Sequence, residues 1–263
     1  GTCNPDNPGH WFRAFLEGGK ADVYQMTFTI DDNPFLQPEF VEALKAEYSG
    51  TVYYDRFIKG EWAAAEGSIY RKFADNPESY MIDEVPEIRV ATIGVDFGGN
   101  GSAHTFVCNG ITPSWHEVVT LEEYYRKEII SPAQLEEDFV AFVRLCQSKY
   151  RVLMAYCDSA EQSLIQGLRT AVAKARLRIE LKNAKKGPIN DRIRFWCMMQ
   201  GAGRYKIMRR CKHLIEAFKG AVWDSKAIGK DVRLDDGKHN IDSLDACEYS
   251  MEPFMRDLIY GGR

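Results

Sequence analysis

Several things this sequence lacks narrow what it can be. It has no apolar run of 18 residues and no secretory-type leader, so the expectation is a chain of the cell interior with no membrane partner. Its seven cysteines (Cys3, Cys108, Cys146, Cys157, Cys197, Cys211, Cys247) are odd in number and form no C-x-x-C pair, which argues against a disulfide framework or a zinc knuckle. Several fall in apolar runs and read as small buried side chains in a reducing cytosol. The five histidines (His10, His104, His116, His213, His239) show no zinc spacing. No G-x-x-x-x-G-K-[ST] loop is present; Gly18-Gly19-Lys20 lacks both the first glycine and the hydroxyl. Charge of one sign is also missing: the formal net charge is −4, so nothing global announces a nucleic-acid partner. There are no internal repeats and no low-complexity segments.

What is present is an ordinary globular composition, with 263 residues giving room for one large domain or a domain with an appendage. The opening Gly1-Thr2-Cys3-Asn4-Pro5-Asp6-Asn7-Pro8 has no initiator Met and reads as the loop after a strand, as in a piece of a longer protein. Trp11–Leu16 reads as a short helix, Asp22–Ile30 alternates like a strand, and Glu39–Tyr48 is an amphipathic helix. Val52–Trp62 has helical spacing, and a linker or boundary is expected between about 63 and 88. Strands are then expected at 89–96, His104–Cys108 and Trp115–Tyr124, joined by short Gly- or Pro-bearing turns as in an antiparallel meander. A helix from Ser131-Pro132 to about Lys149, a strand Leu153–Cys157 and a helix Glu161–Ala175 follow. Further on come a strand at Arg178–Leu181, a helix at Pro188–Gln200, a short strand at Tyr205–Met208 and a helix at Arg210–Phe218. A polar loop or hairpin (Val222–Lys238) and a last helix (Ile241–Phe254) close the chain.

Carboxylates stand at telling places in this order. The run Arg-Val-Ala-Thr-Ile-Gly-Val-Asp-Phe-Gly-Gly (89–99) is β-branched, ends in Asp96 and breaks at Gly98-Gly99. The fourth strand ends in Asp158, and the last helix carries Asp242 and Asp245 at i and i+3, on one face. Three meander strands followed by alternating β and α is the order of a ribonuclease H-like α/β fold. That fold predicts a mixed five-stranded sheet flanked by helices, here with an N-terminal helical appendage. In such a sheet the ends of the first and fourth strands lie side by side, which would bring Asp96 to Asp158. Clustered carboxylates repel unless a cation joins them. Mg²⁺ or Mn²⁺ suits oxygen donors, and two ions roughly 3.5–4 Å apart can activate water and stabilise the leaving oxygen of a phosphodiester. The plainer reading is that Asp96 and Asp158 cap strand ends, and that Asp242, Asp245 and Glu161 start helices.

The ordered motifs resemble the large subunit of phage terminases, the motor that packages viral DNA. They are Gly1-Thr2-Cys3-Asn4-Pro5-Asp6 with His10-Trp11, Asn33-Pro34-Phe35-Leu36, Gly60-Glu61-Trp62 and Gly67-Ser68-Ile69-Tyr70. Ile93-Gly94-Val95-Asp96-Phe97-Gly98, Asp158-Ser159-Ala160-Glu161 and Asp245-Ala246-Cys247-Glu248-Tyr249 complete the set and spread it over nearly the whole chain. The resemblance implies the tail of an ATPase domain and a linker at 1–65, then a ribonuclease H-like nuclease domain at 66–263. It implies a divalent-metal-dependent DNA endonuclease that cuts concatemeric double-stranded DNA as packaging starts and ends, in the host cell cytoplasm. Asp96, Asp158, Asp245 and Asp242 would be its catalytic and metal-binding residues. A portal protein and a small terminase subunit are the implied partners. ATP hydrolysis is not expected of this stretch alone, and the isolated chain is expected to be monomeric. One departure is that the family's His before the final Asp-Ala is replaced by Asp242, with His239 the nearest histidine, so the choice between Asp242 and Asp245 stays open.

DNA contact is expected from a local tract rather than from total charge. Residues 169–194 hold nine Lys or Arg against Glu180 and Asp191, and Lys182, Lys185, Lys186 and Arg192 are the candidates for neutralising phosphates. Aromatics do not interleave them, so sequence-independent backbone contact is expected. The competing reading of the tract is a solvated helix face. Rival readings of the whole are an actin- or sugar-kinase-like ATPase, through Asp96-Phe97-Gly98-Gly99, a resolvase- or transposase-type nuclease, and a non-catalytic domain docking on DNA or portal.

Overall fold

The computed structural model describes residues 1–19, 22–99, 101–113, 115–227 and 229–260. Lys20, from the glycine stretch near the start, and Asn100, inside the turn after Asp96, lie outside them. The chain opens with helices α1 (Trp11–Glu17), α2 (Pro38–Tyr48) and α3 (Arg71–Asp75), followed by a short strand, β1 (Met81–Ile82). Then come β2 (Val90–Asp96), β3 (His104–Ile111), β4 (Val118–Arg126), α4 (Pro132–Gln147) and β5 (Val152–Cys157). The remainder is α5 (Gln162–Lys174), β6 (Glu180–Asn183), α6 (Ile189–Gly201), β7 (Tyr205–Met208), α7 (Lys212–Gly220), α8 (Asp242–Met251) and α9 (Met255–Tyr260). Local chemistry explains several starts. Ser131 accepts the Gln134 amide and Pro132 occupies the first turn of α4, where a missing N–H costs nothing.

The sheet runs β1-β7-β4-β3-β2-β5-β6. β2, β3 and β4 pair antiparallel, while β5, β6, β7 and β1 each join parallel to their neighbours. The expected five-stranded order lies within it, and two strands extend it at the β4 edge. β1 has only two residues, too few for the alternation that marks a strand in sequence. Three other expectations differ from the structure, one wholly and two in their extent. Residues 22–29 form no strand, and Tyr24 and Phe28 point into solvent, 88% and 67% exposed. The helix expected over Val52–Trp62 starts at Val52 but continues only through one π-type turn, Tyr54–Ile58, stopped before Gly60, whose φ of +71° leaves helical space. The third strand starts at Val118, because Trp115 sits at φ +55°.

Alternation along β2 divides the molecule in two. Ala91, Ile93 and Val95 enter a core with Leu135, Phe139, Ile165 and Leu168 from α4 and α5. The opposite side of the sheet carries a second core, in which Tyr70, Phe73, Trp196, Tyr205 and Phe218 pack with Leu244, Ala246 and Met251 of α8. Residues 63–88, read as a linker or boundary, thus contribute fully buried side chains at Tyr70 and Phe73. Each such side chain is worth roughly 1.5–3 kcal/mol of burial. Six of the seven cysteines are buried and free, as their apolar settings suggested.

Gly94 sets how close α8 comes. A Cβ there would overlap the carbonyl oxygen of Ala246 outright. Polar bonds then fix the helix along the sheet: Thr92 Oγ1 donates to the Ser250 carbonyl at 2.8 Å, and Asn109 Nδ2 to Ser250 Oγ at 2.8 Å. Thr105 Oγ1 donates to the Asp242 carbonyl at 2.9 Å.

Candidate metal-binding carboxylate site

β2 and β5 run parallel with Val95 opposite Cys157, and the Asp158 amide donates to the Val95 carbonyl at 2.9 Å. Asp96 and Asp158 therefore leave the sheet as neighbours, on strands about 4.8 Å apart. Because α8 lies against Gly94, its first turn brings Asp242 and Asp245 over the same end of β2.

The four carboxylates have different surroundings. Asp96 is only 8% exposed. Its carboxyl is held well above the usual carboxylate range, by burial and then by the charges of Asp245, Asp242 and Asp158, with Lys186 opposing them. Asp158 is also raised by burial, but bonds from Lys186, the Ala160 amide and Asp96 outweigh this and bring it below its ordinary value. Its Oδ1 accepts Lys186 Nζ at 2.8 Å and the Ala160 amide at 2.8 Å, so Asp158 also caps its own turn. Asp242 is raised, first by burial and then by Asp245 and Asp235, against the Ala103 amide that bonds its Oδ2 at 2.7 Å. Asp245 Oδ1 takes Arg233 Nη2 at 2.6 Å. Asp245 thus acts on Asp96 more strongly than Asp242 does, and Asp242 has one oxygen engaged in holding the start of β3.

Among the described residues, no three His, Cys, Asp or Glu side chains are gathered closely enough to hold an ion as they stand. The carboxylates face one another, but with Lys186 and Arg233 among them. In kind they suit a hard divalent cation, since every donor is a carboxylate oxygen and the repulsion that raises Asp96 is what such a cation relieves.

The other sequence candidates separate. Lys182 and Lys185 are exposed, Lys182 beside Glu180 at 3.5 Å. Lys186 is exposed too, but pairs with Asp158 from a left-handed backbone, φ +51°. Glu252 Oε2 and Oε1 accept the amides of Lys186 and Gly187 at 3.0 and 2.6 Å. Arg192 is 6% exposed and pairs with Glu248 at 2.9 Å, so it lies behind the carboxylates rather than at the surface with the lysines. Glu161 stands exposed just before α5, as a helix-start carboxylate would. His239 bonds Asp236 at 2.8 Å in the polar loop.

Sequence reasoning gave no role to Arg233, Glu248, Tyr249 or Glu252, although Glu248 and Tyr249 stand in one motif with Asp245. The Tyr249 hydroxyl is pushed up by burial and then by Asp245, Asp96 and Asp158, and its ring lies 5.3 Å from the Arg192 guanidinium. Glu248, Tyr249 and Glu252 follow Asp245 at i+3, i+4 and i+7, so the helical face of Asp245 was the signal that could have found them. Arg233 had no such signal, since it comes from an irregular loop.

The family model "terminase large subunit, T4likevirus-type, N-terminal" matches residues 2–74. No curated protein matches the chain. Among solved structures, the large terminase of the thermophilic bacteriophage D6E (crystal form 2) is 26% identical with a TM-score of 0.81. The match covers 96% of this chain and 61% of that one, so the chain spans about three-fifths of the D6E terminase. The P22 large terminase nuclease domain is 17% identical, with a TM-score of 0.55 over 74% of this chain and 98% of its own. The nuclease of the large terminase from thermophilic phage G20c is 12% identical, with a TM-score of 0.51 over 70% of this chain and 97% of its own. These last two show the fold alone. The sequence resemblance therefore holds: this chain is similar to phage terminase large subunits, with the ribonuclease H-like α/β sheet of their nuclease domains.

Proposed function

We propose that the chain carries the metal-dependent endonuclease of a viral DNA-packaging terminase, cutting concatemeric double-stranded DNA when packaging starts and when it ends. The observation that supports this most is the placement of buried Asp96 beside Asp158 on parallel strands, under the first turn of α8 that carries Asp242 and Asp245. Asp96, Asp158 and Asp245 are the ligands we favour for two Mg²⁺ or Mn²⁺ ions. Such cations, when bound, supply Lewis acidity at a phosphodiester and lower the pKa of water. Asp242 holds the front of β3 through the Ala103 amide and stands as the alternative or additional ligand. Lys182 and Lys185, both exposed, are placed to meet DNA phosphates, while Arg192 acts from inside.

The reading divides the chain into the tail of an ATPase domain with its linker (1–65) and a nuclease domain (66–263). Its partners are double-stranded DNA, a portal protein and a small terminase subunit, in the host cytoplasm, and the isolated chain is monomeric. Among the described residues no helix is long and apolar enough to cross a membrane. The D6E terminase has been seen in complex with ATP-gamma-S and with ADP. This sequence has no phosphate-binding loop motif, so the chain is expected not to turn over ATP by itself.

Plasmid digestion tests the proposal. Supercoiled DNA is expected to be nicked and linearised, without sequence preference, in Mn²⁺ or Mg²⁺. Cutting should stop in EDTA and with Asp96→Ala or Asp158→Ala. Full cutting in EDTA, or by both variants, would overturn the metal model, and ATP turnover by this chain would favour the kinase-like alternative.

A further inference from the structure

The polar segment 222–238 sends Arg233 deep into the molecule. Arg233 is 5% exposed and bridges two acids of α8: Nη2 lies 2.6 Å from Asp245 Oδ1 and Nη1 2.6 Å from Glu248 Oε1. Arg192, from α6, reaches Glu248 Oε2 at 2.9 Å and Asp245 Oδ1 at 3.6 Å. Two arginines and two carboxylates thus form a balanced buried group, which is how charge is tolerated away from water.

The group is not symmetric. Glu248, 1% exposed, accepts a hydrogen bond from Arg233 on Oε1, while its Oε2 faces Arg192 Nη1 at ion-pair distance without a hydrogen bond. Both ion pairs of Asp245 run through Oδ1, and its side chain keeps 20% exposure beside Asp96. The backbone that delivers Arg233 is tied on both sides. Asp224 N donates to Val232 O at 2.8 Å and Leu234 N to Val222 O at 2.9 Å. The buried Asp231 carboxylate is 2.5 Å from Arg56.

We propose that Arg233 is a positioning residue for Asp245. Its guanidinium holds Oδ1, fixes the rotamer and leaves Oδ2 to the site shared with Asp96 and Asp158. Glu248 is the counter-charge that keeps the two arginines from neutralising Asp245. This rests on the metal-dependent nuclease reading. A planar two-pronged donor is required, because a lysine carries the same charge but cannot bridge both acids.

Calorimetric titration of Mn²⁺ into the chain separates the two ideas. Wild type is expected to bind and Asp96→Asn to lose binding; equal titrations for these two would overturn both readings. Given binding, Arg233→Lys, which conserves charge, is expected to weaken Mn²⁺ affinity by about 10–100-fold, the usual effect of losing a partner behind a metal ligand. The concentration of Mn²⁺ needed for half-maximal cutting should rise in step. A purely structural arginine would lower the melting temperature and leave the affinity unchanged, and that result would overturn the proposal. If Arg233→Lys does not fold, Glu248→Gln decides in the same titration: weaker binding supports the proposal and wild-type binding ends it.

Discussion

Asp96 is held in a place where a charge is unwelcome, and this has a consequence for stability that is separate from activity. Burial and three neighbouring carboxylates raise its pKa in the folded chain, while in the unfolded chain it titrates near the ordinary value of about 3.9. Between those two pKa values the folded state binds more protons than the unfolded state, so stability falls as pH rises through the window. Asn has the shape of the protonated side chain and cannot ionise. Asp96→Asn in EDTA at pH 7 is therefore expected to melt higher than wild type, by about 2–4 °C for each kcal/mol of repulsion removed. The gap should close as pH falls below the ordinary carboxylate range. Mn²⁺ should raise the wild-type melting temperature and leave that of the variant unchanged. A melting curve for Asp96→Asn below wild type at pH 7 would mean that Asp96 is stabilised, not strained, by its neighbours.

Elements bring these residues together, and much of that was legible in the sequence. Asp96 and Asp158 could be placed side by side because strand order and parallel pairing are topological, and topology follows from the order of the elements. The choice between Asp242 and Asp245 could not be read, because both lie in the first turn of α8 and their difference depends on partners from β3 and the 222–238 loop. The four candidates of the basic tract could not be told apart in the sequence for the same reason. Charge counts do not reveal that Arg192 is buried against Glu248, or that Lys186, though exposed, is drawn to Asp158, while Lys182 and Lys185 are exposed and away from the carboxylates. Gly94 shows how an element position can govern a site without chemistry of its own. Gly94→Ala would force α8 off β2, since a Cβ meets the Ala246 backbone, which cannot rotate away. We expect a loss beyond the usual range of about 1–3 kcal/mol for overpacking, together with loss of cutting, although no charged group is altered. Gly110, also in a strand, is the control: its added Cβ would meet the side-chain ends of Ile88 and Leu121, which can shift. Gly110→Ala should therefore cost clearly less in a chemical denaturation series, and equal losses would show that the approach of α8 is not the constraint.

At the scale of the whole molecule, the proposed function asks an acidic chain to hold a polyanion. With a net charge of −4, long-range attraction to DNA is weak, and on this reading contact comes from a few exposed cations. Of the four tract residues singled out, Lys182 and Lys185 are exposed without being drawn into the carboxylates, so they should carry the salt-dependent part of binding. Each phosphate neutralised on duplex DNA contributes about 0.9 to the slope of log affinity against log salt. The double variant Lys182→Ala/Lys185→Ala is expected to reduce that slope by about 2. Binding to a short duplex, followed by fluorescence anisotropy in the Asp96→Asn background to prevent cutting, measures it. Arg192→Gln should leave the slope nearly unchanged, because its guanidinium faces Glu248 and not solvent, and should instead lower the melting temperature. If the lysine pair leaves the slope intact, the tract is a solvated face and DNA lies elsewhere on the molecule. If Arg192→Gln reduces the slope as much as the lysines do, the buried pair must open when DNA binds, and the charge behind Asp245 would then respond to substrate.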